Sequence, residues 1–211
     1  MTLLAISGFI GSGKDTAANF FVDNFNYERD SFAATLKDIV APLFGWERSL
    51  LEGDTPESRE WRNTVDKWWS DKLGIPKFTP RKAMQLIGTD TLRDHFNPDM
   101  WLLTFERRFM ESSNKNIIIS DARFPNEMQH IRSLGGKIIR VKGKHPPEWE
   151  EIATLAVNGN EIAKAAMEEK YADVHFSEWA WLAVPTDHVI TNTGTLDDLK
   201  QQVFSIAKII S

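Results

Sequence analysis

The chain has 211 residues, 42% apolar and 26% charged, which is ordinary for a soluble globular protein able to bury a sizeable core. A net charge of −5 gives no overall basic field to recruit nucleic acid, and the absence of cysteine excludes disulfides, thiolate metal sites and cysteine nucleophiles. No apolar run approaches the roughly 18 residues of a membrane helix, and "MTLLAIS" lacks the basic start and cleavage site of a signal peptide, so a cytoplasmic protein is expected.

Thr2 to Ser7 is a short apolar run ended by Gly8, which suits a buried parallel strand. From Lys14 onward, Ala17, Ala18, Phe21, Val22 and Phe25 follow helical spacing. "YERDSFAATLKDIVAPLFG" predicts a short strand and then a helix stopped near Pro42 and Gly45. Residues 46–78 change character: they are charged, rich in Trp and bounded by Gly and Pro, and they predict a helical excursion from the main fold. Thr79-Pro80 is a helix start, and the helix would carry "RKAMQLIGTDTLRDHF". Asn97-Pro98 starts another, "DMWLLTFERRFMESS".

"NIIISD" is the second buried strand. Phe124-Pro125 opens the helix "NEMQHIRSL", ended by a Gly pair, and "KIIRVKG" is a third strand. Residues 146–184 read as helical, with no sheet signal. "DHVITN" is a last strand and "TLDDLKQQVFSIAKII" a last amphipathic helix capped by Thr195. Strands alternating with helices imply an α/β fold with a parallel sheet covered on both faces.

Between the first strand and the first helix lies "GFIGSGKDT", Gly8–Thr16. It nearly matches the phosphate-loop pattern G-x-x-x-x-G-K-[ST], in which backbone N–H groups and a helix N-terminus cradle phosphate oxygens. Gly11, Ser12 and Gly13 would supply the cradle, and Lys14 would reach the terminal phosphates. Where the pattern wants a metal-holding hydroxyl stands Asp15, and the hydroxyl comes one residue late, at Thr16. Asp15 could hold Mg²⁺ through water, or it could be a plain first-turn acid favoured by the helix dipole. Thr16 could bond an α-phosphate oxygen.

In "NIIISDARFPNE", Asp121 stands at the carboxyl end of a strand, where open α/β sheets bind ligands. It could orient Mg²⁺-bound water or a substrate hydroxyl, or merely cap the next helix. Arg123 would offer positive charge to a transferring phosphoryl group. On the helix after Pro80, Arg81, Gln85, Gly88 or Thr89, and Arg93 fall near one stripe at three-to-four spacing. That stripe is either a solvated face or a clamp for a phosphate and a base edge. His175, near aromatics, reads as a packed residue without a catalytic role.

"SGKDT", "LKD", "RKAMQLIGTD", "MW", "SDARFPNE" and "VITNTGTLDDL", in this order, resemble the phage-type deoxynucleoside monophosphate kinases. The resemblance covers both ends and most of the core, and it fades in 46–78 and 146–174. It implies a P-loop kinase fold and transfer of the γ-phosphate of ATP, with Mg²⁺, to a deoxynucleoside monophosphate in bacterial cytoplasm. It implies that Lys37, Arg81, Gln85, Gly88, Thr89, Trp101 and Arg123 line the monophosphate pocket. Asn192 to Thr195, Gly194 included, would lie by the ATP base. Some relatives carry basic side chains where this loop has Ile10 and Gly11, so the loop fixes less charge on the phosphates and the source of the missing cation stays open.

The expectation is thus one P-loop kinase domain over 1–211, with a helical insertion at about 46–78 and a lid-like segment at about 146–184. Its catalytic residues would be Lys14, Asp121 and Arg123, its partners ATP and the deoxynucleotide, with no nucleic acid and no membrane. Whether it acts as a monomer or a homodimer stays open. The rival enzyme is another small P-loop kinase, such as one acting on dephospho-coenzyme A. The rival of another class is a nucleotide-dependent switch.

Overall fold

Thr2–Ser7 forms β1, the central strand of the computed structural model, which describes residues 2–113 and 116–210. Around it lie β2 (Glu28–Asp30), β3 (Asn116–Ile119), β4 (Lys137–Gly143) and β5 (His188–Asn192), in the order β2-β3-β1-β4-β5. Every pairing is parallel: Ala5 stands opposite Ile119 on one side and Ile138 on the other, and Val141 opposite Ile190. Leu3 to Ile6 are all buried, as a strand covered on both faces requires.

Helices α1 (Lys14–Phe25) and α10 (Leu196–Ile210) pack together over one face, where Leu4, Ile6, Phe21, Ile139 and Val203 share a core. Between β3 and β4 runs α7 (Pro125–Ser133), which buries Met128 and Ile131 and packs on β1 and β4. The chain crosses from β3 to β4 in the direction opposite to its first crossover, so right-handed connections put α7 on the other face. Helices α8 (Glu150–Val157) and α9 (Glu161–Lys170) form a pair with a small core of Ala153, Ala156, Ala163, Met167 and Trp179. Among the described residues, 146–184 contains no strand, as its sequence implies.

The described residues cluster into two compact units, one made of those within 2–31 and 111–210 and the other of 32–110. The second unit begins with α2 (Ala34–Phe44), which runs through Pro42 and ends at Gly45. Pro42 lies inside this helix, where it has no N–H to give the carbonyl of Asp38, and the helix stops soon after it. The Trp-rich excursion at 46–78 supplies a 3₁₀ turn (Arg48–Leu51), α3 (Pro56–Trp61) and α4 (Lys67–Leu73). Most of its aromatic residues pack on one another, while Trp68 is exposed. Phe44 stacks on Trp46 at 4.5 Å, Trp46 meets Trp61 edge-on, the Trp46 indole donates to Asp66 Oδ2 (2.9 Å), and the Trp69 indole donates to the Phe44 carbonyl (3.0 Å).

Thr79 caps α5 (Pro80–Gln85), its hydroxyl accepting from Lys82 N at 3.1 Å. The single α-helix expected over "RKAMQLIGTDTLRDHF" does not form as such: from Leu86 to Phe96 the winding is π. Asn97 N bonds Leu92 O, five residues back, at the end of this segment. Neighbours along a π segment lie five apart, so the proposed stripe does not continue as one face. Gln85 and Thr89 are exposed, Gly88 is buried and Arg93 is half-buried. Helix α6 (Met100–Glu111) follows.

Candidate active site

The phosphate loop joins β1 to α1 at the carboxyl end of the sheet. Ser12 N donates to Phe9 O (3.1 Å), and Ala17 N donates to Gly13 O (2.9 Å), which begins the helix. Gly13 is held at φ 91°, a left-handed conformation that favours glycine, and a Cβ there would run into the Asn192 side chain. Asn192 Nδ2 donates to Ser12 O at 2.9 Å. Asn192, expected beside the ATP base, also braces the loop through this bond. Phe9 is wedged between Trp149 (5.1 Å, edge-on) and Trp181 (5.0 Å), which anchors the loop to the lid-like segment. Among the described residues, the Ser7 and Ser12 hydroxyls are buried without a hydrogen-bond partner. Gly11 and Thr16 are exposed, Thr16 in the first turn of α1.

A crevice beside the loop is lined by Ser7, Gly8, Lys14, Ser120, Arg123 and Trp181. Two of the three expected catalytic residues, Lys14 and Arg123, thus share it. Arg123 is ion-paired with Glu178 from the lid-like segment. The backbone after β3 is fixed by buried Glu127, whose Oε2 accepts from Arg123 N (2.7 Å) and Phe124 N (3.0 Å). Asp121 Oδ2 accepts from Ser31 Oγ at 2.7 Å.

Asp15 has partners that the sequence did not announce. Its Oδ1 accepts from Arg29 at 2.8 Å, and its Oδ2 lies 3.4 Å from Lys14 Nζ. The expected water-bridged metal role for Asp15 meets a competitor here, because both oxygens already face cations. Arg29 also donates to Ser120 Oγ (2.9 Å) and Asn19 Oδ1 (3.2 Å). It was missed because it lies in a three-residue polar edge strand with no motif around it. His175 is exposed rather than packed: its Nδ1 accepts from Ser177 N (3.2 Å) and caps a 3₁₀ turn. Gly194 lies against the Asp198 carboxylate, which accepts from Thr195 N and Thr195 Oγ1 (both 2.8 Å); these bonds hold the Asp198 carboxyl below its usual range.

In the second unit the residues implied to meet the monophosphate divide. Arg81, Gln85 and Thr89 are exposed. Lys37 is not: it is buried, and its Nζ bonds Glu52 Oε2 at 2.6 Å. Arg48 bonds both Glu52 and Asp38, closing a four-residue network. Burial alone would raise the Glu52 carboxyl, but the bonds and charges of Lys37 and Arg48 outweigh it and hold it below the ordinary range. Trp101 is only 8% exposed, so it offers little face to a base. Its indole N–H donates to the Gly88 carbonyl at 2.9 Å. Gly88 in turn packs so closely on Leu36 that a Cβ would overlap it. "GTD" and the following Trp are thus joined by packing and one hydrogen bond.

The family model for deoxynucleotide monophosphate kinase matches residues 69–154. A protein of Acanthamoeba polyphaga mimivirus, named for the same activity, is 30% identical over 192 residues, covering 82% of this chain and 94% of that protein. The deoxynucleoside-5'-monophosphate kinase of Escherichia phage T5 is 28% identical over 180 residues, covering 62% of this chain and 71% of its own length. A dephospho-CoA kinase of Lactobacillus acidophilus is 23% identical over 208 residues, covering 95% of this chain and 93% of that one. The phosphate loop on a parallel sheet and the near full-length match to the mimivirus protein agree: this chain is a kinase and belongs to the deoxynucleotide monophosphate kinase family.

Proposed function

We propose that the chain transfers the γ-phosphate of ATP to the phosphate of a deoxynucleoside monophosphate, giving the diphosphate and ADP, in the cytoplasm of an infected host. The observation that carries this is the crevice in which the loop, Lys14 and Arg123 meet at the carboxyl end of the sheet. The acceptor phosphate is itself the nucleophile and is ionised at neutral pH, so no side chain need form a covalent intermediate. Lys14 and Arg123 spread the charge of the transferring group, and the loop amides hold the donor in line. Glu178 and Glu127 aim Arg123, one through its guanidinium and one through its backbone. The N-terminus of α1 favours the donor's negative charge.

Among the described residues no three acidic or His side chains cluster in a way that could hold a metal ion. This suits Mg²⁺ carried by the phosphates of ATP, since Mg²⁺ keeps several waters and takes few protein ligands. It would neutralise charge on the donor oxygens. Asp121 is the carboxylate at the end of β3 that could orient its water. Arg81, Gln85, Thr89 and Arg93 would hold the acceptor, with Gly88 and Trp101 shaping their segment; Asn192 and Gly194 would border the donor. Lys37 enters through the resemblance, and its pairing with Glu52 suits a supporting role.

The likeness to a dephospho-CoA kinase keeps a second acceptor in view. Incubating the protein with ATP and a panel of deoxynucleoside monophosphates, dephospho-coenzyme A or no acceptor decides the matter. A diphosphate product is expected with the deoxynucleotides alone. Transfer only to dephospho-coenzyme A, or ATP turnover indifferent to any acceptor, would overturn the assignment.

A further inference from the structure

We propose that Arg29 is a positioning residue of the donor site, acting through Asp15. The loop places a carboxylate directly after its phosphate-binding lysine, and it has Ile10 and Gly11 where a cation could have compensated. An unopposed Asp15 would do two kinds of harm. It would draw the Lys14 ammonium, 3.4 Å away, toward itself and away from the donor. It would also set a negative charge against the phosphates at a helix N-terminus that otherwise favours anions.

Arg29 meets both effects. It takes Asp15 Oδ1 at 2.8 Å, and the same guanidinium nitrogen donates to Ser120 Oγ, a wall of the phosphate crevice. Lys14, Asp15 and Arg29 together carry one net positive charge, where Lys14 and Asp15 alone would carry none. The pair thus keeps the charge of Lys14 available and supplies the cation missing from the loop. A purely structural alternative exists. Arg29 also bonds Asn19, one turn beyond Asp15 on α1, and so ties an edge strand to that helix. An exposed pair of this kind contributes little to stability: the Asp15 side chain is 64% exposed and that of Arg29 32%.

The inference rests on the loop's binding ATP, and not on which acceptor is used, so the measurement is equilibrium binding of ADP with Mg²⁺ by calorimetry. If the unaltered protein fails to bind ADP, the proposed function falls together with the inference. If it binds, the variants test Arg29 alone. Arg29→Ala should weaken ADP by about tenfold or more, as loss of a charge at a phosphate site does. Arg29→Lys keeps the charge and should stay within about threefold of the original. The double variant Asp15→Asn with Arg29→Ala removes the offending carboxylate as well and should recover most of the loss. Asn19→Ala cuts only the tether and should leave ADP binding unchanged. Three results would each overturn the proposal: Arg29→Ala binding as tightly as the parent, the double variant binding as weakly as Arg29→Ala, or Asn19→Ala losing as much as Arg29→Ala.

Discussion

The phosphate loop and the segment from Arg81 to Trp101 were both picked out by sequence motif, and they behave differently in three dimensions. The loop is nine consecutive residues, Gly8–Thr16, whose backbone is the working part. Its geometry follows from glycines, a preceding strand and a following helix, and tertiary contacts such as Asn192 to Ser12 only brace it. In the other segment the proposed ligand contacts are side chains, and packing decides which of them stay exposed. Arg81, Gln85 and Thr89 remain exposed, while Trp101 turns inward to hold Gly88. A backbone motif states its own shape, whereas a side-chain motif states only a candidate set that the fold then sorts.

The largest expected effect lies in the loop. Lys14→Ala should fold normally and lose kcat by roughly three orders of magnitude, because a fixed cation at the transferring phosphate is removed. Steady-state kinetics beside a thermal melt checks this, and ordinary turnover with an unchanged melt would remove the loop lysine from the chemistry. Arg81→Ala comes next. Its side chain is exposed, so stability should move by no more than about 0.5 kcal/mol. Its loss should nonetheless raise the KM for the deoxynucleotide by about tenfold, since a charge-assisted bond to phosphate is lost. The KM for ATP should stay put. A shift of both constants together would deny that α5 discriminates acceptor from donor.

Much of this was legible in advance, for identifiable reasons. The strand Thr2–Ser7 announced itself because a parallel strand covered on both faces is apolar along its middle, as Leu3 to Ile6 are, and Ile117 to Ile119 of β3 were legible for the same reason. The helix starts at Thr79-Pro80 and Phe124-Pro125 were legible because proline is favoured at the first helical position, where its missing N–H costs nothing and its φ suits a helix. The π winding from Leu86 was not legible: its residues have no spacing that separates it from an α-helix. Arg29 was hidden because its partners Asp15, Asn19 and Ser120 are distant in sequence and meet it only through the sheet order. Nor could the sequence show that Lys37 has Glu52 as its partner, fifteen residues on across a turn.

That pairing sets a smaller effect, on stability. Glu52 has a carboxyl held below its ordinary value near 4.5, so its contribution is fully present above that value and is lost as pH falls through the lower folded one. Glu52→Gln should cost about 1–2 kcal/mol at pH 7. That is less than the loss of a fully buried pair, because the Glu52 side chain is 38% exposed. The deficit should shrink as the medium is made more acidic than about pH 4. Denaturant unfolding at a series of pH values checks it, and a deficit constant from pH 7 to pH 3 would show that the Lys37–Glu52 charge pairing is not its source.

The smallest effect separates two ways in which Trp101 could serve an acceptor. If its ring stacks on the base, Phe will substitute, because a flat apolar face survives and the missing N–H is irrelevant. If its task is to hold the turn containing Gly88, Phe will fail in a particular way. The Gly88 carbonyl loses its 2.9 Å donor in a site where Trp101 is 8% exposed. An acceptor left short in such a place costs about 1 kcal/mol. Trp101→Phe should therefore lower the unfolding free energy by about that amount and let the 86–96 segment relax. The KM for every deoxynucleotide should then rise together, by about two- to threefold, since a shifted wall does not distinguish one base from another. Stacking predicts the opposite pattern, with little change on Trp101→Phe and, on removal of the ring, a loss graded by base. Measuring the KM of four deoxynucleotides for Trp101→Phe, beside a denaturant melt, reads both. A uniform rise with reduced stability supports the holding role. An unchanged melt with base-dependent KM values would return Trp101 to the base-binding face.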